Sequence, residues 1–326
     1  MTSNSSRRST ARSRAAFAAA ASAALALGLA ACSSGDEQAG PAAQTAQTGE
    51  TERSSATAAE RTDVVATTQV WADVAGAVLD REVGAVISNS STDPHDYEPT
   101  AADHARINSA DLVIANGGAY DAALYSTADA SKVVSALPLA KGHETHDHGA
   151  EAHEEHEGHE DHEGHDHGGM IEHIWYSTEA VSEVGHKIAD AKGGDAAKLD
   201  ARLDGISAAI EQLPGARVAQ VHPIADALIE DSPLELATPE AYRDATFNEQ
   251  EPSTAAVAEF IDAIRAGDID LVISNPQSPN ASAQRILDEA KAKNIPVVEV
   301  TETPPNGENF LDYFAGVVDS VGKALR

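Results

Sequence analysis

The sequence is poor in several things, and each shortage removes a class of explanation. It has one cysteine, Cys32, in 326 residues, so no disulfide can form within the chain, and soft copper(I) finds no thiolate cluster to bind. It has 22 Lys and Arg against 53 Asp and Glu, a formal net charge of −31. Four of those cations, Arg7, Arg8, Arg12 and Arg14, precede Cys32, and no acid does. The remaining chain therefore repels phosphate backbones and anionic headgroups, which excludes nucleic acid as a partner and favours cations. Aromatic residues are 4% of the chain while hydrophobic residues are 42%, much of that alanine. This is a globular composition with small core side chains, not that of a disordered chain. The length suggests about two domains. No nucleophile elbow, phosphate-binding glycine loop or His-Glu-x-x-His motif occurs, which argues against an enzyme.

The only long apolar run lies at the N-terminus. Ala15 to Ala31 follows the basic cluster and is short for a bilayer span but suits a secretory signal segment. Leu29-Ala30-Ala31-Cys32 closes it and resembles the lipobox of bacterial lipoproteins. The expectation is a signal peptide over residues 1–31, with Cys32 lipidated as the first mature residue. Residues 32–61 show no hydrophobic period and read as a flexible tether.

From Val64 onward, β-rich runs alternate with helical stretches, the pattern of parallel sheets with crossover helices. Strands are expected at Val64–Thr68, Val83–Ile87, Leu112–Ala115 and Val133–Leu137, with helices at Trp71–Leu79 and Pro99–Asn108. A second block repeats the pattern: strands Arg217–Val221, Asp270–Ser274 and Val297–Val300, and helices Pro223–Ile229, Ser253–Ile264, Pro279–Lys291 and Phe310–Leu325. The expected fold is thus α/β, two similar lobes with parallel sheets over residues 62–177 and 214–326. Between them, residues 178–213 have helical spacing interrupted at Gly193-Gly194, which fits one long helix or a broken pair. Ligands of such lobes lie beyond the carboxyl ends of the strands, so a site is expected in the cleft between the lobes.

Residues 143–168 carry nine histidines (His143, His146, His148, His153, His156, His159, His162, His165 and His167) and ten acids, with no large hydrophobe. Such a segment cannot bury a core and is expected to be disordered when free of metal. Imidazole and carboxylate suit zinc and its divalent neighbours. The glycines interspersed among the ligands remove preorganisation, so several weak sites are expected. Five histidines lie elsewhere. His104 and His186 fall inside predicted helices among polar residues and read as surface side chains. His95 and His222 follow predicted strands, and His173 directly precedes Ile174-Trp175.

Several segments together carry a resemblance. Pro94-His95-Asp96-Tyr97-Glu98-Pro99, Asn116-Gly117-Gly118-Ala119-Tyr120-Asp121, His173-Ile174-Trp175, Glu251-Pro252-Ser253, Asn275-Pro276-Gln277 and Val300-Thr301-Glu302-Thr303 stand in this order. They resemble the motifs of the metal-specific solute-binding proteins of ABC importers, the zinc and manganese branch. Over residues 62–326 the resemblance implies two α/β lobes joined by one rigid backbone helix, residues 178–213, with metal held between them. It implies His95 and His173 as ligands from the first lobe, and His222 and Glu302 from the second, with water as the alternative to Glu302. Three imidazoles and a carboxylate suit Zn2+; manganese members have a carboxylate in place of the third imidazole. The implied function is capture of Zn2+ outside the cytoplasm by a monomer anchored to the membrane at Cys32, and its delivery to an ABC permease and ATPase. A manganese importer component, a zinc-sequestering adhesin lipoprotein and, less well, a secreted zinc hydrolase are the alternatives.

Overall fold

The computed structural model describes residues 63–140 and 171–326. The expected signal segment and tether, Cys32 and the nine-histidine insert lie outside the described residues. No helix among the described residues is long and apolar enough to cross a membrane.

In the first lobe, β1 (Val64–Thr68), β2 (Gly84–Ile87), β3 (Leu112–Ala115) and β4 (Val133–Ser135) form a parallel sheet in the order β2-β1-β3-β4. The second lobe repeats this with β5 (Arg217–Gln220), β6 (Glu235–Leu236), β7 (Leu271–Ser274) and β8 (Val297–Glu299) in the order β6-β5-β7-β8. The central strands β1, β3 and β7 are buried at every residue, because helices cover both sheet faces and leave no side for polar residues. In each lobe the chain runs outward to the second strand and then returns across the first. That reversal opens a crevice at the carboxyl ends of the central pair.

The helices of the first lobe are α1 (Gln69–Leu79), α2 (Ala101–Ser109) and α3 (Ala122–Tyr125). Thr100 and Asp103 close a capping box at the start of α2, which satisfies donors that the first turn leaves free. Residues 178–213 are not one rigid helix but two, α4 (Thr178–Lys192) and α5 (Ala197–Glu211). The break is physical. Gly193 and Gly194 both have positive φ, and a Cβ on Gly194 would lie 2.5 Å from the Val78 carbonyl oxygen. Only glycine lets the chain turn this close to the end of α1.

In the second lobe follow α6 (Asp226–Glu230), α7 (Glu240–Phe247), α8 (Thr254–Ala266), α9 (Ala281–Ala292) and α10 (Phe310–Ala324). The side chains of Ser253, Asn280 and Asn309 cap α8, α9 and α10. The C-terminal α10 packs on α1 and α5, and α1 packs on α4. One hydrophobic core consequently runs from Val64 and Trp71 in the first lobe to Ile273 and Phe314 in the second. Smaller apolar clusters lie around Phe260 and Ile286 in the second lobe and around Ile107 and Val113 in the first. The cleft between the lobes is therefore backed by a continuous core, which holds the facing loops in register.

Candidate metal centre

Four loops bring polar side chains to the cleft, three of them following the carboxyl ends of β2, β5 and β8. His95 lies on the loop after β2 in Asp93-Pro94-His95. Asp93 Oδ1 accepts the His95 backbone N–H at 3.0 Å and sits 3.0 Å from Nδ1 of the same histidine. His173 immediately precedes the short 3-10 helix Ile174–Tyr176 and is 3% exposed. Its Nδ1 is 3.1 Å from the Pro223 carbonyl oxygen; a proton donated there leaves Nε2 as a lone pair facing the cleft. His222 comes two residues after β5, in a tight turn closed by Gln220, whose Oε1 accepts the Ala225 N–H at 2.7 Å. Glu302 follows β8 and is 1% exposed.

These four predicted site residues converge. His173 Nε2 and His222 Nε2 are 3.3 Å apart. Glu302 Oε1 lies 3.6 Å from His222 Nε2 and 3.8 Å from His173 Nε2, and Oε2 lies 3.5 Å from His95 Nδ1. His95, His173 and Glu302 offer ligand atoms within 4.8 Å of one another. A tetrahedral ion with bonds of about 2.0 Å separates its ligands by about 3.3 Å, so small movements would close this set on a cation. His104 and His186 stay apart from it. His104 Nδ1 is 3.4 Å from the Thr127 hydroxyl on the first lobe, and exposed His186 pairs with Asp200 at 3.2 Å.

The electrostatics are those of a cation site. Burial, together with the neighbouring His173, pushes the His222 imidazole down to about 3, so it is neutral at pH 7. Burial also opposes charge on His95. The Asp93 and Glu172 carboxylates and the Glu302 charge outweigh it and push His95 up to about 11. Burial works against ionised Glu302 as well, yet the surrounding His173, His95 and His222 hold its carboxyl below the usual range. Asp93 is held at about 2 against burial by hydrogen bonds from His95 and Ser278. The cleft thus gathers carboxylates around a protonated His95, and a metal ion can take that proton's place.

One loop of the second lobe, residues 275–278, orders candidate ligands from both sides. Asn275 Nδ2 donates to Glu302 Oε1 at 2.7 Å, and Gln277 Oε1 accepts the Glu302 backbone N–H at 2.7 Å. Across the cleft, Gln277 Nε2 donates to the Thr92 carbonyl at 3.0 Å and Ser278 Oγ donates to Asp93 Oδ2 at 2.7 Å. Tyr120 of the first lobe donates its hydroxyl to Glu302 Oε2 at 3.0 Å. The motifs Asn275-Pro276-Gln277 and Asn116 to Asp121 stand out in the sequence, but their roles do not. In the second, buried Asp121 accepts the Asn116 and Gly117 N–H groups and the Thr67 hydroxyl, which sets the turn that delivers Tyr120.

Two further carboxylates were not anticipated. His95 Nε2 is 3.6 Å from Glu172 Oε2, and His95, Glu172 and Glu249 form a second group of ligand atoms within 4.8 Å. Adjacency to His173 was the one signal available for Glu172; Glu249, in an irregular turn after α7, offered none.

The model of the ZnuA family, zinc-uptake complex component A, periplasmic, matches residues 64–324. Solved structures share the fold. A crystal structure of ZnuA is 16% identical, with 82% of this chain and 100% of that one covered at a TM-score of 0.58. A mutant structure of the laminin-binding adhesin Lmb from Streptococcus agalactiae is 16% identical, with 81% and 100% covered at 0.57. The SBP FpvC from Pseudomonas aeruginosa, in complex with Mn2+, is 18% identical, with 80% and 97% covered at 0.56. No curated protein sequence matches the chain.

Proposed function

Because this chain belongs to the ZnuA family of periplasmic metal-binding components of ABC importers, we propose that it captures Zn2+ outside the cytoplasm and delivers it to a membrane permease. The family is one of substrate-binding proteins and not of enzymes, which removes the hydrolase alternative. The observation that carries the zinc reading is the convergence of His95, His173, His222 and Glu302 in one cleft. Three nitrogens and one oxygen at near-tetrahedral spacing suit zinc, whereas manganese prefers sets richer in oxygen. A buried carboxylate beside the neutral His222 imidazole also gives the ion a countercharge without water.

The ion is the cargo, so the site must hold it firmly and still release it. Ligands from two lobes meet that need, since a small relative movement of the lobes changes all the distances at once. Lipidation of Cys32 would keep the protein at the membrane beside its permease, and the nine-histidine insert would concentrate ions near the cleft. The chain acts as a monomer in this scheme.

The test is a competition titration of the purified mature chain with and without residues 143–168. One tight Zn2+ per chain should persist without the insert and outcompete Mn2+. Preference for Mn2+, or loss of the tight site with the insert, would overturn the reading. Cys32→Ala should release the protein from the membrane fraction.

A further inference from the structure

His95 faces two ways. Its Nδ1 is turned to Asp93 and Glu302, at 3.0 and 3.5 Å, and its Nε2 to Glu172 at 3.6 Å. Glu249 joins His95 and Glu172 in a second ligand set, with all three ligand atoms within 4.8 Å. The set draws on both lobes, since Glu172 precedes His173 while Glu249 follows α7. Exposure falls steadily along the line. Glu249 is exposed, the Glu172 side chain is 24% exposed, the His95 side chain 15% and the Glu302 side chain 0%.

Two cavities meet along this line. One of about 520 Å³ is lined by Glu172, His173 and the Leu137–Ala140 segment, and another of about 270 Å³ by Asp93, Asp96 and Glu251. His95, His222, Thr246 and Glu249 line both. Glu249 and His95 therefore line both approaches to the buried centre.

We propose that His95, Glu172 and Glu249 form an outer station on the path of the ion, where a divalent cation is bound before His95 passes it to His173, His222 and Glu302. This rests on the buried centre being the zinc site. The chemistry fits a transient stop. One imidazole and two carboxylates give a weaker, more oxygen-rich set for zinc than three imidazoles. A neutral imidazole offers one lone pair at a time, so His95 cannot complete both sets at once, and filling the inner one empties the outer. An ion held at the outer set is a few ångströms from its destination, so its effective concentration there far exceeds that in solution.

A station on the path lowers the barrier in both directions. It must speed entry and release equally and leave the equilibrium constant alone. Trp175 supplies the readout, since it is 1% exposed and its ring packs edge-on against His173 with centroids 5.1 Å apart. Stopped-flow fluorescence of the full chain mixed with Zn2+ would report filling of the inner centre. A chelator chase, extrapolated to zero chelator, would report release.

In Glu249→Gln both rates should fall by about tenfold, the scale on which a single partner acts at a metal site, with Kd within about twofold of the parent. Glu172→Gln, which conserves shape, should do the same. A slower entry that recovers in high salt, with release unchanged, would mean long-range steering only and overturn the station. Unchanged rates would also overturn it. Faster release with a much weaker Kd in Glu172→Gln would make Glu172 a ligand of the inner centre. Unaltered zinc affinity in His173→Ala and His222→Ala would instead overturn the inner site itself, a separate result.

Discussion

Replacing His222 by alanine isolates the third imidazole. In the metal-free chain the His222 Nε2 lies 3.3 Å from His173 Nε2 and 3.6 Å from Glu302 Oε1, and the side chain is 20% exposed. Its loss should change metal-free stability by no more than about 1 kcal/mol. Metal binding should respond very differently. Removing a partner from outside a metal's ligand sphere costs 10–100-fold in affinity, so loss of a ligand should cost at least about 100-fold, or about 2.7 kcal/mol. At fixed saturating Zn2+ that is the same loss of ligand-linked stabilisation. For a chain of this size it amounts to a drop of about 5–10 °C in the zinc-induced gain in Tm. Since burial holds His222 at about 3, it carries no proton to displace, and the affinity deficit should stay constant from pH 6 to 8. Competition titration and thermal unfolding with and without Zn2+ would measure both effects. Zinc affinity within threefold of the parent, or a metal-free Tm that falls as far as the zinc-bound one, would refute the assignment of a ligand role to His222.

Ser278→Ala removes the hydroxyl that reaches Asp93 across the cleft at 2.7 Å and should weaken zinc binding about tenfold with unfolding of the metal-free chain little changed; isothermal titration checks it. Asp121 is pushed up to about 6 by burial, despite its hydrogen bonds from Thr67, Asn116 and Gly117. The folded chain keeps this proton to about pH 6 while the unfolded chain releases it near 3.8, so its contribution to stability falls as pH rises through that window. Asp121→Asn should flatten the slope by up to about 3 kcal/mol in denaturant titrations across pH 3.5–7. Gly194→Ala, at φ 107° and with its Cβ 2.5 Å from the Val78 carbonyl, should destabilise by at least about 1–3 kcal/mol. Gly205→Ala, in α5 with nothing within 4 Å of the added carbon, should stabilise by about 0.5–1 kcal/mol; equal Tm values for the two variants would contradict the steric argument.

What could be read in the sequence was whatever depends on near neighbours. Leu112–Ala115 is an unbroken apolar run and is a strand over those same residues. Ser253 and Asn280 mark helix starts because their side chains bond the backbone three residues on. The Gly193-Gly194 interruption left one long helix or a broken pair open, and the structure has α4 and α5 where the family resemblance implied one helix. The short strand Glu235–Leu236 and the helix Glu240–Phe247 went unread, since a two-residue strand shows no alternation and only Tyr242 of α7 is buried.

At the site, His95 stood out by position and motif, His222 by position, and His173 and Glu302 by motif. Which groups surround them was decided by topology alone. Tyr120 meets Glu302 across 182 residues of sequence, and Ser278 meets Asp93 across 185. The physical reason is the repeated strand order. It puts the carboxyl ends of both sheets at one cleft, where loops remote in sequence become neighbours. Residue type and spacing along the chain set which side chains can bind a cation, but only the facing of the two lobes determines the distances between them. The same facing gives His95 a buried carboxylate on one side, and a half-buried and an exposed one on the other.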